Sequence, residues 1–322
     1  MAETPRIVLH NDKTDMLAEC LRDRYPTADF RTCNTYRDLP ALLETYRPDV
    51  VYSVRFAGSS GFPRDALFGA YGPSWLANGG AGTDHYGMWD AEKTKVTNAA
   101  GVAADMMAEY IIGCFLHFTL DIPGLQDDKA ARVWNVRTVS PLAGKTLLII
   151  GLGHTGRAVA KRAKAFGMKV IGTRARPQAT EHVDEVCAAD KLPDLLSRAD
   201  FITVSTPLIP STRGLIGANE ITAMKPGVIL ADVSRGGVID HVALQPALKT
   251  RQIFGAALDV FETEPLPQKS PLWALENVII SPHCSSVHAD WEKASFSLFL
   301  DNLDRWIRGE RLVNLVNPER GY

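Results

Sequence analysis

Leu147-Leu-Ile-Ile-Gly151-Leu-Gly153-His-Thr-Gly156-Arg-Ala-Val-Ala160 passes from an apolar run, through three spaced glycines, into an alanine-rich segment. The apolar run from Thr146 to Ile150 predicts a buried strand, and the segment after the glycines predicts a helix through Ala165. Between them lies G-x-G-x-x-G. Gly151 permits a tight turn, Gly153 lets the backbone approach a pyrophosphate, and Gly156 lets the helix pack on its strand. N–H groups at the start of that helix, including those of His154 and Thr155, then face the phosphates. In this strand–turn–helix setting the glycines predict a dinucleotide site rather than a plain turn.

The end of the following strand separates one dinucleotide from another. An NAD site usually places Asp or Glu there, on the ribose 2′-hydroxyl. This chain instead reads Val170-Ile-Gly-Thr-Arg174-Ala-Arg176-Pro177, with two arginines and no acid. A carboxylate repels a 2′-phosphate, whereas guanidinium groups hold it with charge-assisted hydrogen bonds. Arg174 and Arg176 therefore predict NADP(H).

The same alternation of apolar runs and amphipathic segments extends in both directions. Downstream, Lys169–Gly172, Phe201–Val204, Val228–Ala231, Gly255–Leu258 and Val278–Ser281 read as strands. Upstream, Arg6–His10 and Asp49–Ser53 read as strands, with helices over Thr14–Tyr25 and Tyr36–Tyr46. A long apolar helix over Ala99–Leu120 separates the two series, and a helical stretch from about Val287 to Arg308 closes the chain. Buried strands alternating with helices predict an α/β protein with two doubly wound parallel-sheet domains, one Rossmann-like and one flavodoxin-like.

Composition bounds the functional classes. The chain has 322 residues, 46% hydrophobic and 22% charged, with a formal net charge of −2. Length fits about two domains, and the near-neutral charge gives no reason to expect nucleic acid or an anionic membrane as partner. Met1–Arg6 lacks the basic and apolar regions of a secretory signal, and Asp105, Glu109 and His117 make the 99–120 stretch too polar to span a bilayer. The five cysteines show no CxxC or metal-ligand spacing, so a reduced cytoplasmic setting and no metal are expected.

Beside a hydride-carrying dinucleotide, residues at the strand ends that can hold an anion and move a proton are the catalytic candidates. Arg235 follows the strand ending near Ala231, where side chains reach the carboxyl edge of the sheet, and its planar fork suits a carboxylate. His283 follows the last strand and is the residue type that moves protons near neutral pH. A carboxylate such as Glu264, if paired with it, would favour the imidazolium and fix the ring.

Ser205-Thr-Pro-Leu208 with Thr212, Asp232-Val-Ser-Arg235-Gly-Gly-Val-Ile-Asp240, Leu258-Asp-Val-Phe-Glu-Thr-Glu264-Pro-Leu-Pro267 and Ser281-Pro-His283 together resemble the D-isomer-specific 2-hydroxyacid dehydrogenase family. Gly82-Thr-Asp-His85 and Ala108-Glu109 extend the resemblance over roughly Ser53 to Arg308. It implies that Arg235 binds substrate, that His283 is the proton donor in reduction, and that Glu264 orients it. It also implies that Thr206, Val233 and Asp259 line the nicotinamide half of the site, with Asp259 on the carboxamide side. Val54-Arg-Phe-Ala-Gly58 and Gly79-Gly-Ala-Gly82 match the loops that meet substrate through backbone N–H groups, which makes Phe56, Ala57, Gly80 and Ala81 substrate-binding candidates. Arg55 is either a second anion contact or a loop charge. Trp134 either reaches a neighbouring subunit's site or packs within a dimer arm.

The family pattern further implies a substrate domain of residues 1–101 plus 289–322, an inserted dinucleotide domain of 102–288, a site in the cleft between them, and a homodimer. The expected activity is NADPH-dependent reduction of a small 2-keto acid, glyoxylate or hydroxypyruvate, to the D-2-hydroxy acid. Two alternatives remain at this stage: a dehydrogenase for a larger 2-hydroxy acid, and a dinucleotide-sensing scaffold like the corepressors of the same fold.

Overall fold

Short runs of Val, Ile, Leu and Ala become strands because side chains buried on both faces suit parallel pairing. In chain order these are β1 (Ile7–His10), β2 (Phe30–Cys33), β3 (Val50–Ser53), β4 (Trp75–Asn78), β5 (Lys95–Thr97), β6 (Thr146–Ile150), β7 (Lys169–Thr173), β8 (Glu185–Cys187), β9 (Phe201–Val204), β10 (Val228–Asp232), β11 (Ile253–Leu258) and β12 (Val278–Ile280). The computed structural model describes residues 5–56 and 60–321. Within them the strands form a five-stranded sheet ordered β2-β1-β3-β4-β5 and a seven-stranded sheet ordered β12-β11-β10-β9-β6-β7-β8. Neighbours pair in parallel throughout.

The chain divides into two compact units, Met1–Val102 with His288–Tyr322, and Ala103–Val287. In the first unit the helix Trp291–Ile307 returns to cover the five-stranded sheet, placing Phe296, Phe299, Leu300 and Leu303 against Ile7, Leu9, Tyr52 and Trp75. Ser295 ties the two together, its hydroxyl donating to Gly79 O at 2.6 Å with Tyr52 Oη 3.1 Å away. In the second unit the helix Ala104–Thr119 buries Ala108, Ile111, Ile112 and Phe115 in the same core as Val159, Ala160 and Ala163 of the helix His154–Ala165. Arg162 fastens the outer edge of that pair, bonding Asp105 at 2.8 Å and Glu109 at 2.9 Å.

Several elements differ from the sequence expectation, each for a local reason. The helix expected over Tyr36–Tyr46 starts at Leu39, because Pro40 suits a first helical turn and not an interior position. The stretch expected to be one helix from Ala99 begins at Ala104, after a turn in which Gly101 has φ +98°, and ends at Thr119. A second helix, Ile122–Ala131, follows a break at Asp121, whose φ is +49°. The closing helix begins at Trp291 rather than Val287, and β11 begins two residues earlier than read. Strands β2, β4, β5 and β8 were not anticipated at all: β2 carries exposed Arg31 and Thr32, β5 has three residues, and β8 is only half-buried.

Candidate active site

The order of the larger sheet reverses between β6 and β9, and in such sheets ligands bind beyond the carboxyl ends of the strands at that point. The glycine turn leaves β6 there. Gly151 has φ +105°, a conformation that side chains disfavour, and a Cβ on Gly156 would lie 2.2 Å from Gly151 O. A Cβ on Gly153, by contrast, would project into open space, which is the room a pyrophosphate requires. The helix His154–Ala165 starts at this point, and its first-turn N–H groups have no partners within the helix. Burial and the nearby Arg157 charge lower the pKa of His154, favouring a neutral ring beside the turn. Beyond β9, Ser205 Oγ donates to Gly151 O at 2.9 Å, while the buried Thr206 Oγ1 has no partner among the described residues. An orphaned hydroxyl beside an open glycine cradle fits a dinucleotide.

Arg174 is half-buried just past β7, its N–H donating to Cys187 O at 3.1 Å, and Arg176 is exposed two residues on. Acidic side chains make no hydrogen bond or ion pair with either guanidinium among the described residues.

Loops after β10, β11 and β12 carry the remaining candidates. Arg235 is half-buried in the turn after β10, with Nη1 donating to Ser234 O at 2.7 Å. Val233 is buried beside it. His283 Nδ1 lies 2.9 Å from Glu264 Oε2, and Phe261 N donates to Glu264 Oε1 at 2.9 Å. Burial acts to raise the Glu264 pKa, but the hydrogen bonds from His283 and Phe261 and the charges of His283 and Arg235 outweigh it, so the carboxylate titrates below its usual range. An ionised carboxylate only accepts, so Nδ1 of His283 carries the proton of this bond and Nε2 is the nitrogen left to exchange one. His283 itself sits at φ +52°, an uncommon conformation for a residue with a side chain.

Asp259 has a more committed place than the family resemblance implies. Its Oδ1 accepts from Ser281 Oγ at 2.6 Å, Cys284 N at 2.9 Å and Ser285 N at 3.1 Å, and its Oδ2 accepts from Ser285 Oγ at 2.6 Å. Neither Ser281 nor Ser285 was picked out as functional from sequence, although Ser281 opens the Ser-Pro-His motif.

Asp232, at the end of β10, is fully buried; its Oδ1 accepts from Ser234 N and Oγ, and its Oδ2 has no partner among the described residues. Burial pushes its pKa up to about 7, and the Asp259 charge adds to the rise. The folded chain thus holds this proton more tightly than the unfolded chain does. The stability contributed is complete below an ordinary value near 4 and is lost as pH rises through about 7. Denaturant midpoints at about pH 5 and pH 8 are therefore expected to fall less in Asp232→Asn than in the unaltered chain. Equal falls in both would contradict the assignment.

In the first unit, the substrate-loop candidates lie beyond β3 and β4. Arg55 is exposed; Phe56 is buried, stacked on Tyr36 with centroids 4.4 Å apart, and donates its N–H to Tyr36 Oη at 2.6 Å. Ala57 lies outside the described residues. After β4, Asn78 Nδ2 donates to Gly80 O and Gly82 O at 2.7 and 2.9 Å, and Asn98 Nδ2 donates to Ala81 O at 2.7 Å. Sequence reading missed both asparagines, which take up the carbonyls of the very loop whose N–H groups were expected to meet substrate. Trp134 is 98% exposed on the segment after the helix Ile122–Ala131, with Val136 also exposed. Among the described residues no three His, Cys, Asp or Glu side chains gather as a metal site, and no helix is long and apolar enough to cross a membrane.

Glycine turn, switch point and a His–Glu pair at adjacent strand ends define a dinucleotide-binding α/β protein. Comparison with known proteins narrows this. The family model of the D-isomer specific 2-hydroxyacid dehydrogenase NAD binding domain matches residues 112–285. A D-3-phosphoglycerate dehydrogenase of Methanocaldococcus jannaschii is 37% identical over 283 residues, 86% of this chain and 53% of that protein, so the chain spans about half of that relative's length. A glyoxylate reductase of Korarchaeum cryptofilum is 34% identical over 256 residues, 76% of each chain. Among solved structures, a D-isomer specific 2-hydroxyacid dehydrogenase from Xanthobacter autotrophicus Py2, in complex with NADPH and MES, is 29% identical with a TM-score of 0.84, covering 99% of this chain and 100% of that one. The chain belongs to the D-isomer-specific 2-hydroxyacid dehydrogenase family.

Proposed function

We propose that the protein reduces a small 2-keto acid, glyoxylate or hydroxypyruvate, to the D-2-hydroxy acid with NADPH. The observation that carries this reading is the 2.9 Å bond from His283 to an ionised Glu264, with the Arg235 charge felt at the same carboxylate. Support for the substrate class comes from the glyoxylate reductase among the relatives, and support for the cofactor from the NADPH-bound structural neighbour and from Arg174 and Arg176.

In this reading Gly151, Gly153, Gly156 and the N–H groups of His154 and Thr155 hold the pyrophosphate, Arg174 and Arg176 the 2′-phosphate, and Thr206, Val233 and Asp259 the nicotinamide end. Asp259 Oδ2 accepts a single bond and so keeps a lone pair for a carboxamide donor. NADPH, when bound, supplies the hydride. Arg235 binds the substrate carboxylate and polarises the carbonyl. The family resemblance further assigns substrate contacts to Ala57, Gly80 and Ala81, with Arg55 as a second anion contact, whereas the Phe56 N–H is already taken by Tyr36 Oη. His283 delivers a proton from Nε2 to the carbonyl oxygen, and Glu264 stabilises the imidazolium and holds the ring. The exposed Trp134 and Val136 support a second copy of the chain as the partner on that arm. Initial rates on a 2-keto acid panel test the reading; absence of turnover with the cofactor still bound would favour the sensing scaffold instead.

A further inference from the structure

We propose that Tyr110 and Ser281 are positioning residues that act through Asp259 to hold His283 in its working conformation; this rests on the reading of His283 as the proton donor. The left-handed backbone of His283 persists only where its surroundings determine it. Asp259 supplies most of those surroundings. Its carbonyl shares the His283 N–H, at 2.9 Å, with Ser281 O at 3.0 Å, and its carboxylate accepts the next two N–H groups, of Cys284 and Ser285. The loop is therefore gripped on both sides of the histidine by one residue that is itself 1% exposed.

That carboxylate is held in turn. Ser281 Oγ donates to Asp259 Oδ1 at 2.6 Å, and its oxygen lies 2.7 Å from Tyr110 Oη. With the serine proton given to an acceptor-only carboxylate, the Tyr110 hydroxyl is the donor to Ser281. Burial raises the Tyr110 pKa, so the phenol keeps its proton and remains a donor. Tyr110 lies on the helix Ala104–Thr119, packed on the helix that begins at the glycine turn. A continuous path, Tyr110 to Ser281 to Asp259 to the 283–285 backbone, thus runs from the dinucleotide helix pair to the proton donor. Removing the serine hydroxyl leaves the carboxylate held only by the loop it anchors, through Cys284 N, Ser285 N and Ser285 Oγ, and frees the tyrosine, so the loop's anchor is no longer tied to the helix.

The test is steady-state kinetics of the full-length chain, per folded site, with glyoxylate and NADPH. Ser281→Ala is expected to lower kcat ~10-fold and Tyr110→Phe several-fold, the size of one hydrogen bond's contribution, with KM for NADPH within about twofold. Ser281→Thr, which keeps the hydroxyl, should restore most of the loss. In a His283→Gln background the Ser281→Ala loss in kcat should shrink severalfold, because the serine acts on the proton step through the histidine and only the nicotinamide contact of Asp259 remains to be disturbed. The same fold-loss in both backgrounds, or wild-type kcat in Ser281→Ala and Tyr110→Phe, would overturn the proposal while leaving the His283 reading intact. Wild-type kcat in His283→Gln alone would overturn both. If Ser281→Ala does not fold, Tyr110→Phe carries the same comparison in the two backgrounds.

Discussion

His283→Gln is expected to lower kcat by about 10²–10⁴-fold, the range that a positioned general acid contributes, while NADPH binding stays within a few-fold. Glutamine retains a donor toward Glu264 but has no proton to give at neutral pH. The carbonyl oxygen must then take its proton from water while negative charge builds beside Arg235. The loss should appear in kcat, because the histidine is asked to act in the transition state rather than in the bound ground state. Stopped-flow single-turnover rates, with cofactor affinity from fluorescence titration, separate the two quantities. A loss confined to the affinity for NADPH would contradict the acid role and leave His283 as a binding residue.

Replacing Arg174 and Arg176 together by serine is expected to raise KM for NADPH by ~10²-fold and to leave KM for NADH within about threefold. Hydrogen bonds to charged groups contribute about 1.5–3 kcal/mol each, and each 1.4 kcal/mol is about a factor of ten. The exposure of Arg176 and the partial exposure of Arg174 bring salt screening, which keeps the expectation at the lower end of what two such contacts could supply. The effect should shrink in high salt. Equal changes for the two cofactors would mean the arginines support the loop without reading the 2′-phosphate.

The sequence made the dinucleotide unit legible because its signals are local. Four apolar residues, three glycines and a helix follow one another between Leu147 and Ala165, and the dihedrals and contacts of Gly151 and Gly156 match the reasons for glycine there. Strands β2, β5 and β8 escaped because partial exposure or short length gives them no apolar run, and pairing with a neighbour rather than their own pattern makes them strands. The site shows the same division. Arg235, Glu264 and His283 stand in recognisable motifs, whereas Tyr110 and Ser281 are 171 residues apart and meet only once the helix has docked on the sheet. Asn78 and Asn98 likewise look like ordinary loop residues until the fold turns their amides onto the carbonyls of residues 80–82.

The most direct test of the central claim is the initial rate of NADPH and NADH oxidation with glyoxylate, hydroxypyruvate, pyruvate and phenylpyruvate. Fast turnover of glyoxylate or hydroxypyruvate with a strong preference for NADPH is expected. Turnover with NADPH of phenylpyruvate alone would keep the chemistry of Arg235, Glu264 and His283 and contradict the small-substrate assignment; preference for NADH would contradict the role given to Arg174 and Arg176.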